Sequence, residues 1–228
     1  MSARAWERVG GACGVLFFVV LLASFGTPDT PDADDPSTQI AEELADDRTG
    51  LLFGVYLAGL ASLLFLVFVA ALWTRLRARE LERGPSLLVL LGGLGTTLLI
   101  LASNGVTLAA IEAADEGREP EAVRALFELD ELFFLGLGWT SAAFYGGAAL
   151  SGLMTGALPR VLSWIAALLA VTFPVAYLGI FSESEDGGVL GAIFFIALLV
   201  NFLWILATSI AMLRGSPTAE PERLGPPD

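Results

Sequence analysis

Residues 51–73 read LLFGVYLAGLASLLFLVFVAALW, 23 positions without a charge, bounded by Arg48 on one side and Arg75 on the other. About 20 helical residues cross a hydrocarbon core ~30 Å thick, and a chain inside lipid satisfies its backbone donors and acceptors only in helices or closed barrels. Barrel strands alternate and are short, whereas this run is long and continuously apolar. It reads as a membrane-spanning helix. Five further stretches obey the same rule, at 9–25, 87–111, 132–153, 161–181 and 189–213. Of the 228 residues, 55% are hydrophobic, which does not describe a soluble surface. The expected fold is all-α, a polytopic bundle of six transmembrane helices over 1–214. A disordered tail is expected over 215–228, where Pro217, Pro221, Pro226 and Pro227 interrupt any helix.

Charge sets the expected orientation. With the N terminus in the cytoplasm, the inner segments hold Arg4, Arg8, Arg75, Arg77, Arg79, Arg83, Arg160, Arg214 and Arg223, leaving only Arg48, Arg118 and Arg124 outside. The same threading places 19 of the 25 acids outside. Five or seven spans would scatter the arginines over both faces, so six spans with both termini cytoplasmic, in the plasma membrane, is the expected topology. Trp6, Trp73 and Trp164 then fall near the inner boundary, where indoles settle. Arg4 and Arg8 before an apolar run would also suit a secretory leader, but Leu22 to Gly26 offers no small-x-small cleavage site, and the first span is expected to be retained.

The connections carry their own signals. Residues 27–36 are broken by proline and aspartate and are expected to be flexible. Ser37 or Thr38 can cap a short helix through Asp47, with Ile40 and Leu44 one turn apart on an apolar edge expected to rest on the bilayer. Pro120 marks a helix start, and that helix is expected to run into the fourth span. Residues 182–188 are expected to form a short acidic turn.

Composition removes whole classes of chemistry from this chain. All 12 basic residues are arginine, histidine is absent and Cys13 is the sole cysteine. No zinc helix, serine–histidine triad, histidine-held haem, lysine Schiff base or thiolate cage can be built from such a set. No metal site and no cofactor are expected. The run Asp29, Asp32, Asp34 and Asp35 is interleaved with Pro28, Pro31 and Pro36, whereas magnesium-dependent chemistry needs carboxylates held on rigid helices.

Helices in lipid associate through small residues and buried hydrogen bonds. Gly50, Gly54 and Ala58 recur every four positions, and Gly152 with Gly156 makes a GxxxG pattern. Both suit packing within one molecule, or alternatively a homodimer seam. Asn201 forms a stripe with Trp204 and Thr208 expected to face protein. Asn104, Trp139 and Pro174 each lie seven residues below the outer ends of their spans, at a depth of about 10 Å. They suggest an outward-facing pocket among spans three, four and five, lined by Ser103, Asn104, Trp139, Pro174 and Tyr177, with Glu112, Asp130 and Glu131 as an acidic rim. Cationic or amphipathic ligands would suit it. Arg75, Arg77, Arg79 and Arg83 are expected at the inner face, fixing topology and contacting anionic lipid.

The helix Ser37-Thr38-x-Ile40-Ala41-Glu42-Glu43-Leu44 ending at Asp47 and Arg48, the Gly54-Val55-Tyr56-Leu57-Ala58-Gly59-Leu60 segment, and the Thr155-Gly156-Ala157-Leu158-Pro159-Arg160 turn resemble those of bacterial six-span integral membrane proteins, a domain-of-unknown-function family. The resemblance implies the fold and brings no catalytic residues. The expected role is a noncatalytic scaffold or accessory subunit, not an enzyme, with the lipid bilayer and a membrane-protein partner or second copy as partners, and no nucleic acid. The alternative is a small-molecule or lipid binder or transporter using the outward-facing pocket.

Overall fold

The computed structural model describes residues 2–28, 31, 34–80, 84–178 and 188–215, with the side chains of residues 131, 134, 135 and 188 outside the description. Its named helices are α1 (Ala3–Ser24), α2 (Ser37–Asp46), α3 (Arg48–Arg77), α4 (Pro85–Asp115), α5 (Pro120–Thr155), α6 (Arg160–Ala176) and α7 (Gly188–Arg214). No strand occurs among the described residues. Four helices, α1, α3, α4 and α7, are long and apolar enough to cross a membrane, while α6 is apolar but has only 17 residues.

Local chemistry sets the boundaries. Ser2 accepts the Ala5 N–H at 3.3 Å and opens α1. Pro85 and Pro120 occupy first-turn positions of α4 and α5, where a missing N–H costs nothing. α5 then continues without interruption through 132–153. It ends at Gly156, whose φ of 66° puts the chain in the left-handed region while its N–H returns to the Gly152 carbonyl. Pro174 lies in the last turn of α6, which stops at Ala176 rather than reaching 181.

Contacts run α1 to α3, α3 to α4, α4 to α5, α5 to α6, α6 to α7, and back from α7 to α1. The six helices therefore close a ring. At the arginine-bearing end its interior is filled by aromatic side chains: Phe144, Tyr145 and Trp204 meet edge to face at 4.9–5.9 Å. Trp204 Nε1 donates to the Leu162 carbonyl at 2.8 Å, so the buried indole carries no unpaired donor.

α2 departs from expectation. Ile40 and Leu44 are fully buried, in a second core with Leu51, Ala110, Ile111, Val123 and Phe127. The edge that suited the bilayer is covered by the ends of α3, α4 and α5, because those helices extend past the predicted spans and offer apolar surface of their own. At about 1.5 Å per residue, the 36 residues of α5 run to ~54 Å, well beyond a hydrocarbon core. Arg48 ties this end together, reaching Glu112 at 2.7 Å and Asp115 at 3.3 Å. Arg124 Nη1 donates to the Asp35 carbonyl at 3.3 Å.

Candidate functional site

None of the residues predicted to share a pocket lines the cavity enclosed by the helices. Ser103 Oγ donates to Asp130, linking α4 to α5. Asn104 is half-buried, with its Nδ2 enclosed and unpaired among the described residues. Trp139 is 64% exposed and points out of the bundle. The cause is angular, since one residue turns a helix by about 100° and the neighbouring Gly138 faces inward. The Tyr177 hydroxyl accepts the Gly138 N–H at 3.0 Å, and its ring fills the place of a Gly138 side chain: a Cβ there would lie 2.0 Å from a ring carbon. Pro174 follows Phe173, which faces the ring interior. Of the expected rim, Glu112 is held by Arg48 and Asp130 by Ser103, and the Glu131 side chain is outside the description.

The cavity sits elsewhere, on the axis of the ring. It has a volume of about 250 Å³ and takes its lining from α1, α3, α4, α5, α6 and α7. Phe17, Phe65, Phe173, Phe194 and Phe202 supply much of the wall, and among the described residues no charged side chain lines it. This cavity does not suit a cation, which would lose its hydration there with no carboxylate among the described lining residues to replace it. Leu57 and Ala58 place the cavity in the half of the bundle nearer α2, and the aromatic cluster of Phe144, Tyr145 and Trp204 closes it toward the arginine-bearing end.

Small residues divide into distinct roles. Gly50 and Gly54 face Pro28 and Thr27, the segment leaving α1, and not another helix. Ala58 lines the cavity. Gly152 is a true packing position, since a Cβ would lie 2.3 Å from Ser163 Oγ on α6. Gly156 is a helix terminator, and a Cβ on it would meet nothing within 4 Å. Asn201, Trp204 and Thr208 turn inward, and the Tyr145 hydroxyl donates to Asn201 Oδ1.

The arginines also separate. Arg77 lies over the Trp73 ring at 5.0 Å, and the exposed Arg79 donates to the Gly156 carbonyl at 3.1 Å. Arg75 is buried, with 6% of its side chain exposed, so it faces protein and not lipid headgroups. Arg83 lies outside the described residues. Among the described residues no group of three or more histidine, cysteine or acidic side chains could hold a metal ion. Asp29 and Asp32 are outside the description.

Sequence reasoning found Asn201 but missed Ser141, Tyr145 and the phenylalanine wall. A tyrosine within an otherwise apolar stretch, one turn from a serine, was the available signal for the α5 pair. No family model, curated protein or solved structure matches the chain.

Proposed function

We propose that the chain is a six-span plasma-membrane protein, with both termini cytoplasmic, that holds a small lipophilic molecule inside its ring of helices and performs no catalysis on it. The observation that carries the reading is the uncharged cavity of about 250 Å³ on the ring axis. An apolar cavity of ~150 Å³ already takes benzene in a soluble protein, so this one has room for a larger hydrocarbon. The gathering of Arg75 and Arg79 beside the end of α5, opposite α2 and its acids, supports the orientation.

Two measurements test it. In a Cys13→Ser background, an impermeant thiol reagent on intact cells should tag Asp34→Cys and leave Arg79→Cys untouched; the reverse pattern discards the topology. For the cavity, naphthalene should raise the melting temperature of the detergent-purified protein, as a ligand specific for the folded state must. Ala61→Phe, which places a ring among the lining residues, should abolish that rise while the variant stays folded. An unchanged response favours the scaffold or accessory-subunit role, which needs no internal ligand.

A further inference from the structure

Of the polar side chains around the cavity, three are already spent. Ser24 Oγ donates to the Leu21 carbonyl at 2.6 Å, Ser62 Oγ to the Ala58 carbonyl at 2.8 Å, and Thr96 Oγ1 to Thr140 Oγ1 at 3.0 Å. Two are not. Ser141 Oγ and Asn201 Nδ2 have no hydrogen-bond partner among the described residues, and both residues line the cavity.

The Asn201 amide is oriented by its surroundings. Its Oδ1 accepts from the Tyr145 hydroxyl, which leaves the two N–H bonds as the groups on offer. Tyr145 is fixed in turn, edge to face against Phe144 and Trp204 and stacked on Phe173 at 6.0 Å. Ser141 stands one turn along α5 from Tyr145, on the same face and toward the α2 end, and lines the same cavity as Asn201.

We infer that the cavity selects a neutral lipophile bearing one carbonyl oxygen, which accepts from Asn201 Nδ2 with Ser141 beside it, while its ring skeleton lies against the phenylalanine wall. The inference rests on the cavity being a ligand site. Neutrality follows from the lining of the cavity, which holds no charged side chain among the described residues, so an ionised ligand would meet no counter-ion there. The choice of an acceptor follows from the two Asn201 N–H bonds, which have no partner among the described residues, while Tyr145 already fills one of the two acceptor positions of the amide oxygen. A volume of about 250 Å³ suits a skeleton on the scale of two fused rings, larger than the benzene that fits ~150 Å³.

The test uses 1-tetralone, tetralin and 1-naphthoate as probes of the full chain in lipid nanodiscs, with affinity read by titration calorimetry. 1-Tetralone should bind about tenfold tighter than tetralin, the worth of one buried hydrogen bond, and 1-naphthoate should not bind. In Asn201→Leu the ketone preference should fall to about twofold or less with tetralin affinity retained. Tyr145→Phe keeps the ring packing and frees the amide to turn, so it should erode the same preference and serves if Asn201→Leu fails to fold. Equal affinity of 1-tetralone and tetralin for the unaltered protein overturns the carbonyl inference and leaves the cavity reading standing. Binding of 1-naphthoate as tight as that of 1-tetralone overturns the neutrality. Failure of both uncharged probes to bind rejects the cavity reading itself, and this inference with it.

Discussion

Gly92→Ala should loosen α4 from α5 more than any other single-methyl change in the bundle. A Cβ on Gly92 would lie 2.4 Å from the Phe144 nitrogen, 2.7 Å from the Thr140 carbonyl oxygen and 2.8 Å from Phe144 Cα. These are backbone atoms, which cannot rotate aside as a side chain can. The contact is repeated nearer the α4 N-terminus, where a Cβ on Gly147 would lie 2.6 Å from the Pro85 carbonyl oxygen and 2.8 Å from the Val89 nitrogen. The two helices touch main chain to main chain at both places, so alanine at either must push them apart. Overpacking costs about 1–3 kcal/mol where side chains can yield, and backbone crowding puts Gly92→Ala at or above ~3 kcal/mol. Thermal unfolding in detergent reads the loss. Gly54→Ala is the control: its nearest neighbour is Thr27 Oγ1 at 3.3 Å, and alanine favours the helix by ~1 kcal/mol, so stability should hold or rise slightly. The cavity should report the same event, because Thr96 lies one turn from Gly92 and Ser141 lies across on α5. Equal stability of the two variants would mean that α4 and α5 do not meet through their backbones.

That contrast shows which parts of the molecule were readable from residues alone. Long uncharged runs specify helices because lipid offers the backbone no other partner, and α1, α3, α4 and α7 follow from it. The facing of each helix is harder, because a span apolar on all sides has almost no amphipathic contrast to mark its inner surface. Spacing alone ranked Gly54 with Gly152, yet one meets a loop and the other a helix. Depth is one coordinate and azimuth another: Asn104, Trp139 and Pro174 count to the same depth along the sequence, but Trp139 turns outward while Gly138 turns in. Asn201 was readable because Trp204 and Thr208 supplied the azimuth. The burial of α2 was half legible, since Ile40 and Leu44 announce an apolar edge without saying what covers it.

Arg75→Met should destabilise the fold by about 2–4 kcal/mol, although four arginines within nine residues look interchangeable in the sequence. Helical geometry separates them, with Arg75 and Arg79 one turn apart and Arg77 on the far side, over Trp73. Arg75 Nε donates to the Ala157 carbonyl at 3.1 Å, and its Nη1 lies 3.8 Å from Glu7 Oε2. Ala157 follows the α5 terminus, where helix carbonyls lack intrahelical partners and the helix dipole presents its negative end, so the guanidinium closes α5 while bridging α3 and α1. Methionine fills much of the volume but leaves the buried Ala157 carbonyl without this donor and Glu7 without this charge. Arg79→Met, which removes an exposed contact to Gly156, should cost no more than about 1 kcal/mol. Arg75→Lys should recover only part of the loss, since one ammonium cannot span both partners as the fork does. Arg77 and Arg79 still mark the same end, so topology should survive Arg75→Met even as stability falls. A lipid-contacting arginine would behave in the opposite way, with unchanged stability in detergent and a lost response to anionic lipid; that outcome would remove Arg75 from the core and return it to the membrane surface.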